Sequence, residues 1–232
     1  MEATWPPARR WRTGPFTLRD GQGGGQRVSA ATVESAFTPA ELDSTIAAMP
    51  EPIFQIGAGA AARALDQALE ARGWRINDPV VLYLAPVPVL AAEPPPRVSA
   101  FALWPPLAIM RDLWAEGGIG PARLAVMERV GGPKMALLAR AGDRPAGVGF
   151  VALDDDIAMV HALHILPESR RQGAARNLMR AAAGWADRLG ARWLALAVTR
   201  QNAAANGLYA SLGMEIVEKY HYRIPPDAGQ GG

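Results

Sequence analysis

The basic turn between residues 170 and 176 contains the residue types most suited to binding chemistry. It consists of Arg170, Arg171, Gln172, Gly173, Ala174, Ala175 and Arg176. A strand-like apolar run precedes the turn, and an amphipathic helix pattern follows it. Glycine allows a close backbone approach, and a helix N-terminus offers unpaired N–H groups with partial positive charge. The turn therefore predicts an anion site suited to pyrophosphate; the alternative is a solvated, arginine-rich helix start.

Hydrophobic periodicity predicts the elements that position this turn. The strands predicted in this part of the chain are 134–141, 145–153, 157–165, 193–198, 214–217 and 220–224. The predicted helices are 107–114, 121–130, 173–189 and 202–212. Gly190 and Gly213 are placed to end the last two helices, and Asn202 can cap the last one. The mixture of strands and helices indicates an α/β protein.

The first 97 residues are predicted to form one domain, and residues 98–232 a second one. Residues 85–97 are the richest proline stretch in the chain, which favours a stiff, extended linker between the two halves. Within the first half, the segment from Thr38 to Glu41 has the pattern of a capping box at a helix start.

A weak internal repeat relates the two halves. Residues 53–86 and 193–226 align without a gap at a constant offset of 140, which is 193 minus 53. Both segments predict a strand, a helix, a glycine and two further strands. The pattern predicts two copies of one fold, of which only the second carries the basic turn.

Three features, in one order along the chain, resemble the GNAT acetyltransferases. They are Ile165-Leu166-Pro167, the Arg-x-x-Gly-x-Ala turn from Arg170, and Asn202 followed by Leu208-Tyr209 and Leu212-Gly213-Met214. The resemblance covers residues 134–224 well and 107–130 more weakly. It implies two GNAT-like halves, each a mixed, mostly antiparallel sheet flanked by helices. The C-terminal half would be a complete acyl-CoA N-acyltransferase fold, splayed between its fourth and fifth strands to admit acetyl-CoA, and the N-terminal half a degenerate copy.

The same resemblance implies which residues contact acetyl-CoA. Backbone N–H groups from Arg171 to Arg176 would hold the pyrophosphate, and the backbone of Ile165 would orient the thioester and pantetheine. The residues assigned to the cofactor are Leu163, His164, Ile165, Arg170, Arg171, Gln172, Gly173, Ala174, Ala175, Arg176 and Asn202. No metal is expected in the reaction.

Two side chains are candidates for acid–base catalysis. Tyr209 matches the family tyrosine near the cofactor sulfur, so its hydroxyl would protonate the departing thiolate; the alternative is a buried core tyrosine. His161 precedes the turn by the spacing of the serotonin N-acetyltransferase branch and would accept a proton from the amine; the alternative is a core histidine. His164 is expected to face the other side of the strand. Glu128 and Glu168 are weaker candidates.

The N-terminal half departs from this pattern. Leu69 stands at the repeat position of Tyr209, and nothing before Ile53 resembles the basic turn. This half is therefore expected to bind no acetyl-CoA and to form one wall of the acceptor pocket, or simply to complete the core.

Composition limits the partners that are expected. The formal net charge of +2 gives no argument for nucleic acid or a membrane, and no run approaches the roughly 18 apolar residues of a membrane span. The absence of cysteine excludes disulfides and thiolate catalysis. These limits predict a cytoplasmic protein, and the resemblance implies a monomer or homodimer that acetylates a primary amine of a small molecule. The alternatives are a non-catalytic acyl-CoA sensor and an enzyme that acetylates protein or peptide amines.

Overall fold

The computed structural model describes residues 1–226. Its strands are β1 (Arg9–Thr13), β2 (Phe16–Asp20), β3 (Thr32–Val33), β4 (Phe54–Ile56), β5 (Arg75–Pro86), β6 (Ala100–Leu103), β7 (Lys134–Ala141), β8 (Arg144–Asp154), β9 (Ile157–Ile165), β10 (Trp193–Thr199) and β11 (Glu215–Ile224). Its α-helices are α1 (Gln26–Ser29), α2 (Pro39–Ala47), α3 (Ala60–Glu70), α4 (Val87–Ala91), α5 (Ala108–Glu116), α6 (Pro121–Arg129), α7 (Ala174–Arg188) and α8 (Ala203–Ser211). A short 3-10 helix spans Pro167–Ser169.

The chain folds into two compact units that do not follow the chain order. The first unit comprises residues 1–6, 82–198 and 202–217. The second comprises residues 7–81, 199–201 and the described residues from 218 onward. The chain passes from one unit to the other inside β5 and again inside β11. The domain boundary at residue 97 concerns the two halves of the chain, and it stays a prediction.

The first unit contains a mixed sheet in the order β5-β10-β9-β8-β7-β6, to which β5 contributes its second half. Strands β6 to β9 are antiparallel neighbours, whereas β9 and β10 are parallel. Helix α7 packs against β6 to β9, and α5 packs against β8 and β9. Trp114, Phe150 and Leu178 are fully buried in its core. This mostly antiparallel sheet with flanking helices confirms the predicted α/β class.

The second unit has a smaller core around its own strands. Strands β1, β2 and β3 form an antiparallel sheet, and β11 pairs antiparallel with β4. Phe16, Leu42, Phe54, Leu65 and Trp74 belong to one buried apolar cluster. Helix α2 begins with the predicted capping box, in which the Thr38 hydroxyl accepts from the Glu41 N–H and the Glu41 carboxylate accepts from the Thr38 N–H.

The predicted repeat has a matching backbone in both copies. β4, α3 and β5 follow one another as β10, α8 and β11 do, and Gly73 and Gly213 take φ angles of 76° and 75°. Trp74 N donates to Leu69 O at 3.0 Å, and Met214 N donates to Tyr209 O at 3.1 Å. The prediction of two strands after each glycine is wrong. One continuous strand follows each glycine, β5 after Gly73 and β11 after Gly213.

The copies exchange their last strands. In the order of the sheet, β11 lies beside β4, and β5 lies beside β10. Each copy therefore pairs the strand before its helix with the strand after the helix of the other copy. This exchange explains why the compact units are not divided near residue 97.

The proline-rich stretch is not extended throughout. Residues 87–91 form α4, which packs on α7 and buries Val87 and Leu90. Pro88 lies in the first turn of α4, where a missing N–H costs no helical hydrogen bond. Beyond this helix, Glu93 forms an ion pair with Arg180 of α7. The expected stiff linker is thus partly a helix fixed to the first unit.

Candidate active site

An opening between β9 and β10 is the main feature of the candidate site. Their parallel register runs from Ile157 opposite Trp193 to Val160 opposite Leu196, and it stops there. Both strands continue beyond that point, β9 to Ile165 and β10 to Thr199. The facing backbone edges are therefore not paired with each other over these last residues. These are the fourth and fifth strands of the C-terminal half, between which the resemblance to the GNAT acetyltransferases implies a splay.

A β-bulge reorients the histidines of β9. His161 pairs with Phe150 and His164 pairs with Val148, so β9 has one more residue than β8 between these two pairs. Ala162 has a φ of 50°, and its carbonyl accepts a hydrogen bond from Trp114 Nε1 at 2.8 Å. The extra residue reverses the alternation of side chains. His161 and His164 therefore share one face of the sheet, and the prediction that they face opposite sides is wrong.

His161 is buried and held by the N-terminal segment. Its side chain is 3% exposed, its Nε2 lies 3.0 Å from Thr4 Oγ1, and its ring stacks on Trp5 at 4.9 Å between centroids. The Thr4 hydroxyl donates its single hydrogen to Met1 O at 2.9 Å. Thr4 Oγ1 must then accept from His161 Nε2–H. This bond fixes the tautomer, so the lone pair of the neutral ring lies on Nδ1.

Sequence patterns gave no signal for Thr4 and Trp5. Thr4 lies 157 positions from His161 in the chain, and the segment reads as an irregular, proline-containing start. Only the fold brings residues 1–6 against β9.

His164 is also packed against α5. A Cβ at position 117 would lie 2.5 Å from its ring, so Gly117 leaves the space that the imidazole fills. Its Nε2 is buried and has no hydrogen-bond partner within residues 1–226. Burial lowers the pKa of His164, Glu116 opposes this shift and Arg170 adds to it. The ring is therefore neutral at neutral pH, and its contact with a cofactor stays a prediction.

The basic turn is closed by its own side chains. Arg170 Nε donates to Ile165 O at 3.4 Å, and Gln172 Nε2 donates to Glu168 O at 2.8 Å. Arg171 and Gly173 adopt left-handed φ angles of 60° and 85°, and Gly173 caps α7. This geometry turns the chain directly from β9 into the helix.

The turn leaves a run of backbone donors available. Among the described residues, no acceptor bonds the N–H groups of residues 171–176. Gly173 is exposed, and Ala174 is buried beneath the turn. Arg176 directs its guanidinium to Ser211 Oγ on α8, at 2.9 Å. These donors at the start of a long helix suit an anion, and the cofactor contacts assigned to the turn stay predictions.

Tyr209 lies on α8 as a buried proton donor. Its side chain is 5% exposed, and its hydroxyl has no hydrogen-bond partner in the part of the chain that the structure describes. Burial, with a smaller contribution from Tyr83, raises the pKa of Tyr209 to about 12. The Tyr83 ring lies 5.5 Å away, and its hydroxyl donates to Asn206 Oδ1. Tyr209 is therefore uncharged at neutral pH.

Asn202 is the N-cap of α8, as the sequence predicts. Its Oδ1 accepts from Ala205 N at 3.1 Å, and its backbone carbonyl accepts from Asn206 Nδ2 at 2.7 Å. The side-chain amide nitrogen is the group left to meet a ligand. Its contact with a cofactor is a prediction.

Residues 1–226 contain neither a candidate metal cluster nor a candidate membrane span. No group of three or more histidine, aspartate and glutamate side chains is arranged to hold a metal ion in that part of the chain. None of the helices there is both long enough and apolar enough to cross a membrane.

Comparison with known proteins identifies the C-terminal half. Residues 108–214 match the model of the acetyltransferase (GNAT) family. The uncharacterized N-acetyltransferase YobR of Bacillus subtilis (strain 168) is 31% identical over 77 residues, which are 33% of this chain and 31% of that protein. The match thus spans about a third of the length of this curated relative.

Solved structures share the fold over nearly the whole chain. A GCN5-related N-acetyltransferase from Kribbella flavida has a TM-score of 0.71 at 19% identity, covering 100% of this chain and 93% of that one. A tandem GNAT protein from the clavulanic acid biosynthesis pathway has a TM-score of 0.61 at 17% identity, covering 98% and 86%. At these identities the likeness is one of fold.

The mixed sheet that opens between its fourth and fifth strands is an acyl-CoA N-acyltransferase fold. Residues 108–214 are a domain of the GNAT acetyltransferase family, and the chain therefore carries an acyltransferase domain. The resemblance and the fold class predicted from the sequence are confirmed.

Proposed function

We propose that the protein transfers the acetyl group of acetyl-CoA to a primary amine of a small molecule by direct attack. The observation that carries this proposal is the opening between β9 and β10, which leads along the chain into a turn of unbonded N–H donors. A pantetheine arm needs backbone partners along an open strand edge. A pyrophosphate needs convergent donors without a nearby carboxylate. Residues of the C-terminal half fit both requirements. This half is the catalytic domain that the sequence predicts at residues 98–232.

The turn supplies positive potential as well as hydrogen bonds. Residues 171–176 offer their N–H groups at the N-terminus of α7, which carries a partial positive charge. Arg170 and Arg171 are exposed and add charge without bonding to a carboxylate among the described residues. These groups hold an anionic cosubstrate. The space around the Cβ position of Gly173 is open, so the anion can approach the backbone without a clash.

His161 and Tyr209 divide the proton transfers. The amine nitrogen forms a bond to the acetyl carbon as the carbon–sulfur bond breaks, and the amine loses one proton to the imidazole of His161, directly or through water. Tyr209 gives its hydroxyl proton to the departing thiolate. Its high pKa keeps that proton in place until the sulfur charge develops. No metal is needed to balance these steps.

The N-terminal copy is assigned no part in this chemistry. Leu69, at the repeat position of Tyr209, is fully buried in the apolar cluster of the second unit. Its backbone repeats the capping hydrogen bond of Tyr209, but its side chain has no proton to give. We therefore expect one equivalent of acetyl-CoA to bind per chain.

The proposal predicts acetyl-CoA-dependent release of thiol when a panel of small amines, amino acids and peptides is supplied. Ala175→Glu should raise the KM for acetyl-CoA at least about tenfold, because a carboxylate beside the N–H donors repels the pyrophosphate. Ala181→Glu is the matched control, since Ala181 is equally half-buried on the same helix but distant from its N-terminus. Tight acetyl-CoA binding without thiol release for any amine would contradict catalysis and favour the sensor. Release only with peptides would replace the small-molecule acceptor.

Thr4 is expected to act through His161. Thr4→Val removes the acceptor of His161 Nε2–H at almost constant volume. Because that hydrogen bond orients the ring, its loss should lower kcat about tenfold while the KM for acetyl-CoA stays within about twofold. His161→Gln should lower kcat by about a hundredfold, the usual scale for a lost general base.

The controls separate positioning from folding. Thr4→Ser keeps the hydroxyl and should restore the wild-type kcat. An unchanged kcat in Thr4→Val would exclude the positioning role of Thr4, and wild-type turnover in His161→Gln would show that this histidine is a core residue only.

A further inference from the structure

The second unit contains a partly open cavity that the proposed chemistry does not use. Its volume is about 290 Å³. The walls come from the end of β4, from α3, β5 and β11, and from Arg200. All of these residues belong to the second unit, and none is a candidate for catalysis or acetyl-CoA binding.

Cationic side chains dominate the walls. Arg63 enters from the first turns of α3, Lys219 from β11, and Arg200 from the segment after β10. Asp66 is the acidic residue among the lining residues. Gly57, two residues before the cap of α3, brings backbone to the wall. At neutral pH the lining therefore has more cationic than acidic side chains, and its three cationic residues are exposed to water.

The charge of Asp66 is already matched. Its Oδ1 accepts from Arg223 Nε at 2.7 Å and from His221 Nε2 at 2.9 Å. Partial burial alone would raise the pKa of Asp66, but these hydrogen bonds hold it below its usual value. Arg223 is almost fully buried and also donates to Trp74 O at 2.8 Å. The carboxylate is therefore occupied by its own partners and does not neutralise Arg63 or Lys219.

One further carboxylate lies beside the cavity. Glu218 Oε1 is 3.7 Å from the Cβ position of Gly57. The side chain of Glu218 is exposed, as are those of Arg63, Arg200 and Lys219, so water screens all of these charges alike. The cations still outnumber the acidic groups around the opening.

The remaining walls are apolar. Ile56, Val80 and Tyr220 are each 4% exposed and line the same space as Pro79. A simple phosphate or chloride ion would leave these surfaces in contact with water. Clefts that bind drug-sized molecules span roughly 300–1,000 Å³, so this cavity suits a ligand at the small end of that range.

We propose that the second unit binds a small organic anion, whose carboxylate or phosphate meets Arg63 and Lys219 and whose apolar body packs on Val80 and Tyr220. Arginine forms bidentate hydrogen bonds with either anionic group. The site therefore recognises both the charge and the apolar body of the ligand. The second unit, which combines segments of both halves, thus has a ligand of its own, unrelated to acetyl-CoA.

The test uses the full-length protein with benzoate, phenyl phosphate and inorganic phosphate as probes. Binding is measured by calorimetry and by the ¹H–¹⁵N shifts of Gly57 and Lys219. At least one aromatic probe should bind saturably, shift both signals, and bind more tightly than inorganic phosphate. Arg63→Gln and Lys219→Gln should each weaken that binding by about tenfold, the scale of one charge-assisted hydrogen bond. Arg123→Gln, an exposed arginine on α6, should leave it unchanged.

The outcomes distinguish the two ligand classes, and some of them would exclude the site. Binding of benzoate alone assigns a carboxylate ligand, and binding of phenyl phosphate alone assigns a phosphate ester. No saturable shift with either aromatic probe would overturn the proposal. Equal affinity of wild type, Arg63→Gln and Lys219→Gln would overturn it too, provided that thermal unfolding shows both variants folded. Thiol release by the wild-type enzyme is measured separately, so failure of this site leaves the proposed acetyl transfer standing.

Discussion

Replacing Tyr209 by phenylalanine should lower kcat for acetyl transfer by about a hundredfold while the KM for acetyl-CoA stays within about twofold. The hydroxyl makes no hydrogen bond within residues 1–226, so its loss breaks no structural contact. The ring stays in place beside Tyr83 and keeps its packing. The substitution removes only the proton donor for the departing thiolate, and this loss raises the free energy of the transition state. Steady-state kinetics with the best amine of the panel would measure both constants.

The pH dependence gives a second readout for the same side chain. Because the pKa of Tyr209 is raised to about 12, its proton remains available well above neutral pH. Its ionisation should therefore cause no fall in rate below about pH 10, the ordinary tyrosine value. The sign for stability follows from the same shift. The folded state holds this proton more tightly, so the contribution is complete below about pH 10 and is lost as pH rises towards 12. Tyr209→Phe should lack this part of the alkaline loss.

Tyr222→Phe is the matched control for the kinetic readout. Tyr222 is also a buried tyrosine whose pKa burial raises, but it lies on the part of β11 that belongs to the second unit. This substitution should leave kcat within about twofold, because Tyr222 is not among the candidate catalytic or acetyl-CoA-binding residues. Wild-type turnover in Tyr209→Phe would exclude the acid role, and an equal loss in Tyr222→Phe would indicate a general effect on the fold.

The site was predictable where its signals are local. The turn, the glycine that caps α7 and the asparagine that caps α8 follow from backbone requirements that each residue meets by itself. The bulge in β9 was not predictable in this way. Its residue with positive φ is Ala162, a type that carries no turn signal, and it is fixed by a hydrogen bond from Trp114 on another element. The faces of His161 and His164 depend on that one residue.

Sequence patterns did not predict the contacts between distant parts of the chain. Thr4 meets His161 through packing, and the strand exchange requires knowing which edge each strand reaches. Periodicity predicts that β5 and β11 are strands. It does not predict which strands pair with them, because pairing depends on the whole sheet. The cavity of the second unit has the same origin, since β4, α3, β5 and β11 contribute to its walls.

A chain that begins at residue 98 should fail to fold into a native first unit, although it contains every candidate catalytic and acetyl-CoA-binding residue. It lacks the second half of β5, which lies beside β10, and so exposes a long strand edge that favours aggregation. It also lacks α4, which packs on α7, and Thr4 and Trp5, which contact His161. Near-ultraviolet circular dichroism and thermal unfolding should show no cooperative transition.

Residues 1–97 supplied as a separate polypeptide should restore that transition and acetyl-CoA-dependent thiol release. The strand exchange explains this result, because β5 would again occupy the position beside β10 and β11 the position beside β4. Co-expression of the two halves, followed by size-exclusion chromatography, would show whether they elute together. A cooperative unfolding transition for residues 98–232 alone, at the temperature of the full chain, would mean that β10 needs no partner from the N-terminal half. The boundary at residue 97 would then separate two independent domains, whereas the exchanged strands lead us to expect two halves that fold only together.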